Sequence, residues 1–376
     1  MGVMDVDAAL TKPRASNLEL FRIITMLLIV AHHYVVLSDL PKVMVTDPLG
    51  VQSIFLYIFG AWGKVGINCF VLITGYFMCT SSITLRKFVK LVAVVEFYEI
   101  TTYCIFIMGG VTHFSWIPFL KSLLPILSLS TGSFTSCYLL FFLFIPFLNI
   151  LIHHMDRRQH AILILLNLFA YTFLGSIPRN PVPINYLSWF SVIYLVGSYI
   201  RLYPSVRGLR SHLGMKLLAC IALSVVSIVF FDWVGVRLGK EVFGIALWGV
   251  IDSNKALAFI TSVVAFCWFK NLSMSYHPLI NTIAASAFGV LLIHSGSFTM
   301  MDWLWKHTLN NAAFFGTELM YLHAFGSVVV VYVVCTMIDW LRIRYAERLM
   351  LDFYDRHAAW CEGKLESVIR WVVGND

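Results

Sequence analysis

Long apolar blocks separated by short polar connectors dominate the chain. Runs of membrane-spanning length, on the order of 20 residues each, cover 19–38, 63–80, 88–109, 134–152, 160–177, 187–201, 215–232, 254–270, 280–298 and 318–338. The pattern predicts an all-α polytopic membrane protein with about ten transmembrane helices. Two further apolar pieces, 52–62 and 116–130, are short or carry Pro118, Lys121 and Pro125. They read as interfacial or re-entrant elements, whose irregular backbone must be satisfied by surrounding protein. After the last span, residues 339–372 repeat apolar and aromatic positions at three- and four-residue spacing among mixed charges. That is the pattern of an amphipathic interfacial helix on the inner membrane surface, and it equally suits a plain anchor. The chain thus divides into an N-terminal tail (1–16), a transmembrane domain (17–340) and an amphipathic C-terminal tail (341–376).

Composition supports this class. Hydrophobic residues make up 59% of the chain and charged residues 12%, with a mean hydropathy of +0.81. Soluble domains carry about 25% charged residues, so little water-facing surface is expected. The formal charge of +7 does not indicate a nucleic-acid partner, because the cations sit mostly in short loops between apolar blocks. Most of the eight cysteines lie singly inside apolar blocks, as do Cys69, Cys104, Cys220, Cys267 and Cys335. They read as small buried hydrophobes rather than a disulfide framework or metal set. No cleavable signal peptide is expected, since the first apolar stretch contains Arg22, His32 and His33 with no small-residue cleavage site.

The basic residues orient the spans. With the N-terminus in the cytoplasm, Lys12, Arg14, Arg86, Lys87, Lys90, Arg157, Arg158, Arg201, Arg207, Arg210, Lys216, Lys270, Arg342, Arg344 and Arg348 all fall inside. The opposite loops keep Lys42, Lys121, Arg179, Arg237, Lys240, Lys255 and Lys306. The bias satisfies the positive-inside rule for a multi-pass plasma-membrane protein with both termini cytoplasmic.

Polar groups inside spans are costly and therefore functional candidates. In the first span Arg22 and His33 are eleven residues apart. At roughly 100° per residue they share one helix face, about 16 Å apart along the axis, while His32 faces elsewhere. Arg22, near the cytoplasmic end, can bind an anionic or carbonyl group through its fork of donors. His33, in the outer half, can serve as general base on a hydroxyl. The same placement also permits snorkelling of both side chains to the lipid headgroups. Glu96 and Glu99 lie one turn apart in the third span and call for protonation or a cationic partner, with Arg22 and Lys90 the candidates. His294 lies in the outer half of its span, and Lys64 near the outer boundary, where snorkelling suffices. The His153–His160 segment has adjacent histidines without the spacing that structural zinc prefers, so no metal is expected.

Several segments together carry a resemblance. Asn17-Leu18-Glu19-Leu20-Phe21-Arg22-Ile23 followed by His33 resembles the opening of the membrane acyltransferase-3 family, with its basic residue, ten residues, then His. Gly66-Ile67-Asn68-Cys69-Phe70-Val71-Leu72-Ile73-Thr74-Gly75-Tyr76-Phe77 is similar to the family's "FxLSGYF" segment, with Thr74 in place of Ser. The family's basic Arg-x-x-Arg loop appears only as Lys87-x-x-Lys90, which lacks the arginine fork. The span 138–149 resembles "YLLxPFLN", and Phe288-Gly289-Val290-Leu291-Leu292-Ile293-His294 resembles "FGxYLIH". The resemblance runs from about residue 16 to 345 and rests on the order and spacing of these motifs.

That resemblance implies a transferase, commonly moving acetyl from acetyl-CoA on the cytoplasmic side to a hydroxyl of an extracytoplasmic sugar. The acceptor would be a surface polysaccharide or its lipid-linked precursor, with no tightly bound cofactor. His33 and Arg22 become the catalytic candidates, and Arg86, Lys87 and Lys90 can hold CoA phosphates or simply anchor the loop. Glu19, Glu96, Glu99 and His294 are candidates for acceptor binding or support. Membrane lipid is the surrounding solvent, and membership in a polysaccharide-assembly complex stays open. The rival reading is a transporter of a glycan or small solute with Arg22, Glu96 and His33 as relay groups.

Overall fold

The computed structural model describes residues 15–123, 133–177, 182, 184–204, 211–239 and 242–373. The expected N-terminal tail up to Arg14, much of the 116–130 piece with Pro125, and Arg179, Arg207, Arg210 and Lys240 lie outside the described residues. In chain order the helices are α1 (Ser16–Val36), α2 (Leu40–Met44), α3 (Val51–Gly60), α4 (Gly63–Met78), α5 (Leu85–Met108) and α6 (Trp116–Leu123). Then come α7 (Phe134–His154), α8 (Arg157–Asn167), α9 (Tyr186–Leu202), α10 (Leu213–Arg237), α11 (Val242–Ala246) and α12 (Ala256–Lys270). The chain closes with α13 (Pro278–Ala285), α14 (Ala287–Ser295), α15 (Phe298–Asp302), α16 (Met320–Leu341) and α17 (Glu347–Val373). No strand occurs among the described residues. The fold is an all-α polytopic membrane protein, as the hydropathy pattern predicts.

Each of the ten predicted spans contains helix, but not all are of spanning length. Among the described residues, eight segments are long and apolar enough to cross a membrane. Helices α9 and α12, of 17 and 15 residues, are shorter than the roughly 20 residues a bilayer requires. Both are largely enclosed by protein, where backbone ends find partners without reaching water. At the start of α12, Lys255 Nζ donates to the carbonyl of Gly175, and Asn254 Nδ2 donates to Tyr171 O at 2.8 Å. The 52–62 piece is not a separate interfacial element. It forms α3, which runs with α4 as one 28-residue segment, Val51–Met78, broken only at Ala61 and Trp62.

The core is built around α1 and α4. Half of the α1 span is buried, and α1 packs against α3, α4, α12, α13, α14 and α16. Helices α4 and α9 touch backbone to backbone. A Cβ on Gly75 would lie 2.8 Å from Tyr194 O, and one on Gly197 would lie 2.7 Å from Leu72 O. Small residues permit such approach in membrane bundles, where dispersion contacts and buried hydrogen bonds replace the hydrophobic drive. Asn68, fully buried on α4, fixes the register by donating to Ser253 O at 2.7 Å and accepting from Trp189 Nε1 at 2.8 Å.

The last span does not end where the hydropathy falls. A π-turn over Arg342–Ala346 joins α16 directly to α17. The first turns of α17 run antiparallel to α5, tied by ion pairs from Lys90 to Glu347 and from Arg86 to Asp355. The amphipathic pattern of 339–372 thus describes a continuation of the span, with one face on α5.

Overpacking a close helix contact costs about 1–3 kcal/mol. Gly75→Ala and Gly197→Ala are therefore expected to lower the thermal unfolding midpoint in detergent. Gly326→Ala, at a position with open space around its Cβ, is expected to leave that midpoint unchanged. Equal midpoints for all three variants would contradict the packing described.

Candidate active site

Helix α1 is fixed at both ends by polar side chains. Asn17 Nδ2 donates to Phe269 O and Lys270 O, each at 3.0 Å, and to Leu272 O at 3.2 Å, so it caps the C-terminus of α12. Ser16 Oγ accepts from His277 N at 2.8 Å at the start of α13. At the far end Asn311 Nδ2 donates to Tyr34 O at 2.7 Å. Between these anchors the helix holds Arg22 and His33 on one face, as the spacing predicts.

His33 meets His294. His33 Nδ1 and His294 Nε2 are 2.8 Å apart, although the residues are 261 positions apart in sequence. His294 is fully buried, and its Nδ1 bonds the carbonyl of Val290 one turn back on α14. A carbonyl only accepts, so His294 Nδ1 carries the hydrogen. The neutral ring then has a lone pair at Nε2, and His33 Nδ1 must be the donor. His33 Nε2 is left unprotonated and able to take a proton. His32 points away, with its Nδ1 against Gly60 O at the end of α3.

Arg22 meets Glu19. Its Nη1 lies 2.8 Å and 3.1 Å from the two carboxylate oxygens of the largely buried Glu19, and a quarter of the Arg22 side chain remains accessible. Glu19 holds the guanidinium by one of its nitrogens, which leaves other donors of the fork for a ligand. Tyr138 on α7 lies against α4 and α14. Its hydroxyl is 3.1 Å from Thr74 Oγ1, and its ring lies 5.9 Å from that of Phe288. Thr74, Tyr138 and Phe288 come from three separated motifs and meet in one region.

The other sequence candidates go elsewhere. Arg86 makes a bidentate pair with Asp355, at 2.8 Å and 2.9 Å. Lys87 Nζ donates to Ser82 O at 2.6 Å and to Ser81 Oγ at 3.1 Å. Lys90 pairs with Glu347. A donor phosphate at these positions would have to displace α17 carboxylates or loop oxygens. Glu96 and Glu99 do not pair with Arg22 or Lys90, whose partners are Glu19 and Glu347. Glu96 instead lines an apolar cleft of about 780 Å³ between α5 and α17, and its buried Oε2 has no hydrogen-bond partner. The Arg22–Glu96–His33 relay considered for a transporter is not assembled. In the His153–His160 segment, His153 and His154 bond the carbonyls of Asn149 and Ile150, and His160 bonds that of Leu195. Lys64 does not reach for headgroups; its Nζ donates to Tyr186 OH at 2.7 Å.

One buried polar cluster was not singled out from sequence. Asp339, fully buried, accepts from Tyr98 OH at 2.6 Å and Arg342 Nε at 2.8 Å, and Arg342 Nη1 donates to Glu347 Oε2 at 3.0 Å. An Asp at the end of an apolar run with Arg three residues later is a legible signal of an intrahelical pair. Tyr98 and Glu347 carry no such signal, because only the tertiary fold brings them there. Removing one partner of a buried ion pair costs about 3–5 kcal/mol. Asp339→Ala is therefore expected to lower the unfolding midpoint sharply, and the double variant with Arg342→Met to recover much of the loss. An unchanged midpoint for Asp339→Ala would contradict a structural role.

Comparison with known proteins follows the same motifs. The acyltransferase-domain model of the acyltransferase-3 family matches residues 16–340, most of the chain, from the first anchor of α1 into the last turn of α16. No curated protein and no solved structure matches the chain. The chain belongs to the acyltransferase-3 family and is a membrane acyltransferase.

Proposed function

We propose that the protein O-acetylates a sugar, moving acetyl from acetyl-CoA on the cytoplasmic side to a hydroxyl of a surface polysaccharide or its lipid-linked precursor. The observation that carries this reading is the His33–His294 bond, with the Val290 carbonyl behind it. It supports a neutral His33 whose Nε2 is a fixed proton acceptor, which is what attack by a hydroxyl needs. The bundle end at Ser16 carries Arg86, Lys87, Arg157, Arg158, Arg201 and Lys270 at helix termini, which favours that end as cytoplasmic. Arg22 then lies toward the donor side and His33 toward the acceptor side.

In the proposed step His33 Nε2 takes the proton of the acceptor hydroxyl as its oxygen attacks the thioester carbonyl. The C–O bond forms, and the tetrahedral intermediate collapses with cleavage of the C–S bond. The proton on His33 passes to the departing CoA sulfur, so an ester and free CoA are formed and the base is regenerated. His294 acts as a positioning residue, because its lone pair selects the His33 tautomer with Nε2 free. Arg22, steadied by Glu19, binds and orients the donor.

The test is acyl transfer by purified protein in detergent, with labelled acetyl-CoA and a panel of glycans. His33→Ala is expected to lower the rate by about 10²–10⁴-fold, the usual range for a general base. His294→Phe, which keeps a ring but removes the acceptor, is expected to lower kcat with little change in donor KM. Arg22→Met is expected to raise donor KM, and Arg22→Lys to restore it only in part. A His33→Ala protein that folds normally and transfers at the wild-type rate would overturn the assignment.

A further inference from the structure

The first turn of α4 places a cation beside the histidine pair that the step above leaves unused. Lys64 is partly buried, and its Nζ lies 2.7 Å from Tyr186 OH and 5.4 Å from the centre of that ring. Its neighbour Gly63 packs directly on His32: a Cβ there would lie 2.3 Å from the ring, and the His32 and His33 rings are 5.7 Å apart. Several other described cations at this end of the bundle have partners of their own. Lys42 pairs with Asp39, Lys306 with Asp302, and Lys255 lies on Gly175 O and the Trp248 ring. No described carboxylate forms an ion pair with Lys64.

The charges around His33 are incomplete for its task. A histidine base becomes cationic as it takes the proton, and in serine-hydrolase triads a buried carboxylate stabilises that cation. Here the polar partner of His33 is a second imidazole and that of His294 is a carbonyl, and the charged group at the start of α4 is the cation of Lys64. Like charges oppose one another most where water is scarce. A negative group on the bound substrate would pair with Lys64 and remove that opposition at the moment of transfer. The surface beside it suits a sugar. The Tyr186 ring stacks on Phe190 at 5.4 Å, and the neighbouring Phe134 stacks on Tyr138 at 5.9 Å, giving flat apolar faces for pyranose C–H groups.

We propose that Lys64, held by Tyr186 beside His33, binds an anionic group of the acceptor, a carboxylate or a phosphate, so that the enzyme acts on an acidic glycan or a glycosyl phosphate. The proposal rests on the acceptor side of the function given above. It makes Lys64 a specificity residue, whose contribution scales with the charge of the acceptor.

Two measurements on the full-length protein in detergent test it. The first is equilibrium binding, without acyl donor, of a galacturonic-acid trisaccharide, glucose 1-phosphate and a neutral galactose trisaccharide to wild type, Lys64→Met and Lys64→Arg. The second is acetyl transfer to the same three probes. Wild type is expected to favour at least one anionic probe over the neutral one by about tenfold or more, equivalent to one well-formed charge pair. Lys64→Met is expected to collapse that ratio through acceptor KM, and Lys64→Arg to keep most of it. The favoured probe distinguishes a carboxylate from a phosphate source. A wild type without charge preference, or a Lys64→Met variant whose losses are equal for charged and neutral probes, would overturn the proposal while leaving acyl transfer standing. Charge-selective binding lost in Lys64→Met, with no transfer to any probe, would uphold the anion site and count against the acetylation reading.

Discussion

The organisation of the bundle turns on one hydrogen bond, that between His33 on α1 and His294 on α14. Away from water, each imidazole needs a partner, and an unmatched one would cost several kcal/mol. The pair satisfies that need for His33 and passes the requirement to the Val290 carbonyl. A carbonyl cannot donate, so the direction of every proton in the chain is set from that end. The chemistry ascribed to His33 depends on this order, because a reversed chain would place a hydrogen where the substrate proton has to go.

Much of the surrounding packing serves to keep these two helices in register. Asn17 and Asn311 hold the two ends of α1, Gly63 lets α4 lie directly on His32, and Asn68 ties α4 to Trp189 and Ser253. On the other flank, α5 is bound to the last span and its extension by Asp339, Arg342 and Glu347. In lipid there is little hydrophobic drive between helices, so close contacts and buried polar bonds have to position the site. The same logic explains the Arg22–Glu19 pair: the carboxylate restrains the guanidinium without consuming all of its donors.

Much of this was legible in the residues. Hydropathy located the long helices of the bundle, and the eleven-residue spacing put Arg22 and His33 on one face. Motif order placed His294 in the domain, but only the fold shows it 2.8 Å from His33. The hydropathy reading needs correction at 52–62, because α3 runs on into α4 with only two residues between them, whereas α9 and α12 are about as short as their apolar runs and are enclosed by protein. The basic residues at 86, 87 and 90 were ambiguous for a physical reason. Anchoring, donor binding and pairing with a distant helix all require the same charge, and only the course of α17 distinguishes them. Glu96 and Glu99 called for protonation or a cationic partner; neither pairs with Arg22 or Lys90, and Glu96 lies instead in the apolar cleft beside α17.

The most direct test of the account is the protonation pattern of the two histidines. Nitrogen-15 NMR of ring-labelled histidine in lipid, with His33→Gln and His294→Gln variants for assignment, reads each nitrogen separately. At neutral pH the account requires hydrogen on Nδ1 of both rings, a hydrogen-bonded lone pair at His294 Nε2 and a bare lone pair at His33 Nε2. Hydrogen on His33 Nε2, or a His33 signal unmoved by loss of His294, would contradict it.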